Sequence, residues 1–134
     1  MVLEALLPFA LLPLRVMLGI IFVVHGLPKI KGLAGDVSWL AGLGIKPARF
    51  WFVILALTEF IGGIAMIAGA FVQIVAALQC ISMLVALYAN AIAWKKPFKG
   101  GYELDLLLIA GLLAMLVLGA GPYSVDATFG LSFF

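Results

Sequence analysis

The chain of 134 residues is 66% hydrophobic and only 10% charged, with a formal net charge of +2. Water-soluble domains run at about 45–50% apolar and about 25% charged, and a domain this small leaves much of its surface in solvent. A soluble domain is excluded, the small net charge gives no nucleic-acid footprint, and an all-α integral membrane protein is predicted, with the lipid bilayer as its first partner.

About 20 helical residues cross the hydrocarbon core, and the chain offers four apolar stretches of that length. The first span covers about 7–29, with Pro8 and Pro13 near its start, where proline is tolerated. Glu4 stands where a secretory leader would be basic and Arg15 interrupts the apolar run, so a cleaved leader is not expected. Residues Asp36 to Gly44 read as a short interfacial helix, capped by Asp36, anchored by Trp39 and ended at Gly44. The second span covers about 50–71, after Pro47, and the third about 73–94. The link between them is so short that they form an antiparallel hairpin. The fourth covers about 102–121, bracketed by the interfacial aromatics Tyr102 and Tyr123. Beyond Pro122 an aromatic tail is predicted to lie along the membrane surface. The whole of 1–134 is one four-helix transmembrane bundle.

Loop charges predict the orientation. The first connection and its borders carry Lys29, Lys31, Lys46 and Arg49, and the third carries Lys95, Lys96 and Lys99. The termini and the second turn carry no Lys or Arg. The positive-inside rule makes the basic side cytoplasmic and both termini external, as in a multi-pass protein of the cell (inner) membrane.

The chain has one cysteine, Cys80, and one histidine, His25. It cannot form an internal disulfide, a dithiol redox pair, a four-thiolate iron–sulfur site or a bis-histidine haem site. No metal or flavin motif is present, and Cys80, mid-helix beside Gln79, reads as a packing residue.

Function is therefore sought in the sparse polar set. A charge at bilayer depth costs about 3 kcal/mol on insertion scales and persists only facing a bundle interior. Residues Arg15, Phe22, His25 and Lys29 share one helical face, with Gly19 and Gly26 beside it. Gln79, Met83, Ala86 and Asn90 form a second stripe, and Glu59 stands next to Gly62, Gly63 and Met66. By helical rise, His25 and Asn90 lie within about two turns of the cytoplasmic surface and Glu59 near the midplane. Lys29, Tyr102, Glu103 and Asp105 sit at the mouth. The expectation is a polar funnel that opens to the cytoplasm and closes at Glu59. Structural readings stand beside it: a Glu59–Arg15 ion pair between helices, a snorkelling Lys29, and Asn90 and Gln79 as interhelical glue.

Three stretches resemble the DoxX family of small four-helix membrane proteins, related to DoxD, the membrane subunit of thiosulfate:quinone oxidoreductase. They are Leu14-Arg15-Val16-Met17-Leu18-Gly19 leading into His25-Gly26-Leu27-Pro28-Lys29; Glu59-Phe60-Ile61-Gly62-Gly63; and Gly100-Gly101-Tyr102-Glu103-Leu104-Asp105 followed by Gly119 to Asp126. The family pattern near the end reads Gly-Pro-Gly-Arg-Tyr-Ser, whereas Ala120-Gly121-Pro122-Tyr123-Ser124 here lacks the Arg. The resemblance implies redox work with the quinone pool or with partner oxidoreductase subunits, in a homo- or hetero-oligomer. On that reading Glu59 and His25 are the catalytic candidates, and Arg15, Lys29, Asn90, Tyr102 and Glu103 the ligand-binding ones. A quinone would lie between the first, second and third spans. Two alternatives remain: a non-enzymatic assembly factor or scaffold, and a small carrier moving a proton or cation at Glu59.

Overall fold

The computed structural model describes residues 2–130, and among these every regular element is helical. The α-helices in chain order are α1 (Val2–Lys31), α2 (Ser38–Gly42), α3 (Ala48–Ala68), α4 (Val72–Tyr88), α5 (Glu103–Leu118) and α6 (Val125–Phe129), with π turns at Ala89–Ala93 and Phe98–Tyr102. The end of the predicted aromatic tail, 131–134, lies outside the described residues. Helices α1, α3, α4 and α5 are the four membrane spans. Only 22% to 39% of each span's most apolar window is buried inside the bundle, so the remaining apolar surface faces lipid. With 30 residues, α1 is longer than the predicted span and carries Pro8, Pro13 and Pro28 inside it. At about 1.5 Å per residue it reaches about 45 Å, beyond the hydrocarbon thickness of about 30 Å.

Glycine sets how α1 meets α3. A Cβ added at Gly63 would stand 2.8 Å from both the Gly19 carbonyl oxygen and the Val23 nitrogen, and one at Gly26 would stand 2.6 Å from the Phe60 nitrogen. The two backbones are therefore in direct contact, as small residues allow in membranes. On the other side Gly111 of α5 meets α1 through Leu18. Leu18, Phe22, Met66, Met83, Leu112 and Met115 fill the centre as one apolar cluster.

The α3–α4 hairpin turns through two residues with positive φ, Gly69 at 79° and Phe71 at 50°. Gly69 supplies the left-handed cap that ends α3. Phe71 has a side chain and needs an external hold. The Asp126 carboxylate provides it, accepting the Phe71 N–H at 2.6 Å and the Val72 N–H at 2.9 Å. Thus α6 caps the N-terminus of α4.

At the opposite, lysine-rich end, Ser38 donates its backbone N–H and its hydroxyl to Asp36, at 2.9 and 3.1 Å. These bonds hold the Asp36 carboxyl below its ordinary range. Helix α2 starts two residues after Asp36. Its Trp39 ring lies 6.3 Å from Phe52 and 6.1 Å from Trp94, so it packs back onto the bundle.

Candidate functional site

Glu59 lies midway along α3, on the face turned into the bundle, and is 7% exposed. The α1–α3 register puts its backbone level with Gly26. That leaves Lys29, one turn further along α1, within reach: its Nζ donates to Glu59 Oε2 at 2.7 Å. The expected Glu59–Arg15 pair is corrected here. The same register carries Arg15 to the hairpin end, about 16 Å of helical rise from Gly26. There its guanidinium donates to the carbonyls of Ala120 (2.7 Å), Tyr123 (2.9 Å) and Ile67 (3.4 Å). Arg15 is buried, but it ties helix ends together instead of facing Glu59.

A second polar pair faces the first. The lower end of α4 loosens into a π turn, Ala89–Ala93, closed by Trp94 N–H to Ala89 O at 2.8 Å. Such turns re-aim side chains and recur at functional sites. Asn90 sits in this turn, and its Nδ2 donates to Asp105 Oδ2 at 2.7 Å. Asp105 is in the first turn of α5, where the helix dipole favours a negative charge, and is 7% exposed.

Between the two pairs lies a cavity of about 290 Å³, bordered by Lys29, Glu59, Asn90 and Asp105, with the exposed His25 at its rim. Phe22, Met83 and Leu108 form its apolar wall. Small-molecule sites span about 300–1,000 Å³ and combine apolar walls with a few convergent polar groups, so this cavity suits a compact head group. All four long helices contribute, where three were expected; α5 supplies a full wall. Lys29 shares the cavity wall with two acidic side chains, Glu59 and Asp105. Among the described residues no cluster of His, Cys, Asp and Glu could hold a metal ion.

Of the predicted residues, the fold gathers His25, Lys29, Glu59 and Asn90. Tyr102 and Glu103 lie beside the cavity and do not border it. Tyr102 packs edge-on against Phe98, and Glu103 accepts the Gly100 N–H at 3.0 Å, closing its own loop. Gln79 is fully buried one turn above Met83; its Nε2 reaches Thr58 O at 3.5 Å and its Oε1 has no partner among the described residues. The residue missing from the site set is Asp105. Its signal was present: Asp105, Leu108, Leu112 and Met115 follow helical spacing and are all buried, which marks the inward face of the last span.

Comparison with known proteins bears on the family of the chain. The DoxX family profile matches residues 10–91. The Bacillus subtilis (strain 168) protein described as "Putative oxidoreductase CatD" is 34% identical over 113 residues, 84% of this chain and 81% of its own length. "Inner membrane protein YqjF" of Escherichia coli (strain K12) is 26% identical over 117 residues, 84% of this chain and 85% of its own. No solved structure gives a significant match. A four-span bundle matched by the family profile over its first three spans, with a relative this similar over most of both chains, belongs to the DoxX family.

Proposed function

We propose that this chain is the membrane-embedded subunit of a quinone-linked oxidoreductase system, and that the Lys29–Glu59 cavity receives a quinone-type head group. The observation that carries the reading is the convergence of two hydrogen-bonded polar pairs on one apolar-walled cavity at membrane depth. The donor set fits such a head group. Lys29 has three N–H donors and gives one to Glu59; Asn90 has two and gives one to Asp105. Both therefore keep donors for the carbonyl oxygens of a planar ligand.

When bound, a quinone would supply a two-electron acceptor that takes up two protons to give the quinol. Glu59 and Asp105 are the groups able to hold those protons beside the ligand oxygens. His25, at the rim, exchanges protons with the aqueous side. Phe22, Met83 and Leu108 keep water away from the rest of the head group. With a single Cys and a single His, the chain alone builds no four-thiolate iron–sulfur or bis-histidine haem site; on this reading electrons come from a partner oxidoreductase subunit or from the substrate itself. The family relative described as an oxidoreductase supports that class. The lysine asymmetry and the relative described as an inner membrane protein support the cell membrane, with the basic end cytoplasmic. Above the cavity, Gly62 and Gln79 meet so closely that a Cβ on Gly62 would lie 3.0 Å from Gln79 Nε2. That closure favours a dead-end binding site over a carrier with a path through the bundle.

The test is titration of a tail-less quinone into the purified chain in lipid nanodiscs. A buried donor left unpaired costs about 1–3 kcal/mol. Lys29→Met and Asn90→Leu, which remove the two side-chain donors, are each expected to weaken binding by the folded fraction about tenfold or more. Unchanged affinity in both folded variants would favour the scaffold reading.

A further inference from the structure

The head-group cavity does not end at the Lys29–Glu59 pair. On the far side of that pair lies a second chamber of about 250 Å³, which shares Lys29, Glu59, Ala86 and Asn90 with the first. At the basic end Trp39 and Trp94 border this chamber, their rings 6.1 Å apart. Toward the lipid it runs into an apolar groove of about 390 Å³ between α3 and α4, through the shared residues Leu40, Leu55, Ser82 and Val85. The groove is open on the outside, because Trp51, Ile54, Leu78 and Ile81 on its walls are all exposed on the bundle surface. Helices α3 and α4 are close at Gly62 and Gln79 and leave this gap in their lysine-rich halves.

We propose that the α3–α4 groove is the path by which the long apolar tail of the ligand leaves the polar cavity and reaches the bilayer. This rests on the head-group reading above and narrows its ligand to a lipid-soluble, tailed quinone that enters sideways from the membrane. The physical argument is one of route. Lipid tails are as apolar as leucine, so the groove adds little affinity over the bilayer itself. A tail attached to a head group beside Glu59 must nevertheless go somewhere. The rim of the first cavity is polar at His25, and the second chamber is bordered by two tryptophans at the basic end. The groove offers a continuous apolar way out, and Ser82, small and placed at the junction, keeps it open.

The experiment compares two probes on the full chain in nanodiscs: a benzoquinone bearing a long polyprenyl tail, and the same head group without a tail. Ser82→Phe narrows the junction and Leu78→Trp narrows the groove wall further out. Each is expected to weaken the tailed probe at least tenfold and leave the tail-less probe within twofold, which also certifies that the variant is folded. Equal affinity of the tailed probe in wild type and both variants would overturn the groove as the tail path while leaving the head-group site standing. Equal weakening of both probes would also overturn it, because the substitutions would then be acting on the head group. Failure of wild type to bind either probe would overturn the head-group reading as well.

Discussion

Glu59 had two cations available on the polar stripe of α1, and the choice between them is a matter of depth rather than of charge. Arg15 and Lys29 lie on the same helical stripe, which the sequence spacing gives correctly. What spacing along one helix cannot give is the register against another. The contacts of Gly19 and Gly26 with α3 set that register and leave Glu59 level with Gly26. Because Lys29 and Glu59 are paired, Lys29→Met and Glu59→Gln should be non-additive in detergent melts. The coupling should be about 0.5–3 kcal/mol, the range for contacting residues; additive losses would contradict the pair. Arg15 makes the complementary prediction. It spans three carbonyls from two separate segments, which a planar fork can do and a single ammonium cannot. Arg15→Met should lower the melting temperature, Arg15→Lys should not restore it, and the affinity of the folded fraction for a tail-less quinone should be unchanged. Weakened binding in that fraction would return Arg15 to the ligand site.

Helix by helix, legibility was uneven. The four spans and the hairpin follow from hydropathy and length, and the glycines pointed to close backbone approach. The π turn at Ala89–Ala93 left no mark in residue types, yet it is what turns Asn90 toward Asp105. Likewise, nothing local to Asp126 says that it caps α4; that bond joins residues 55 positions apart. The glycine seam can be tested directly. Gly63→Ala would press a Cβ to 2.8 Å from two backbone atoms that cannot swing aside, and overpacking of this kind costs about 1–3 kcal/mol. Gly42→Ala is the control, since a Cβ there meets nothing within 4 Å. A lower melting temperature for the first and none for the second is expected. Equal stability of Gly63→Ala and wild type would mean that α1 and α3 are not in backbone contact.

For the molecule as a whole, both bundle ends carry their own chemistry. The lysine-rich end holds α2, the tryptophans and the mouth of the site. The hairpin end is locked by Arg15 and Asp126. Four spans and the lysine asymmetry predict that this second end is external. In a Cys80→Ser background, a cysteine at Gly35 should be labelled only from the cytoplasmic side and one at Thr128 only from outside. Labelling of both from one side would contradict the topology. Family membership, too, was legible, because the stretches that carry it include His25, Lys29, Glu59 and Asp105, the residues the fold then brings to one cavity. The central claim is that this cavity holds the ligand's head group. Photo-crosslinking with an azido-substituted tail-less quinone in nanodiscs, followed by peptide mapping, tests it most directly. Adducts should fall on the segments Phe22 to Lys29 and Met83 to Asn90 and should fade in Glu59→Gln. Adducts near Arg15 and Asp126, or a pattern that Glu59→Gln leaves untouched, would contradict the account.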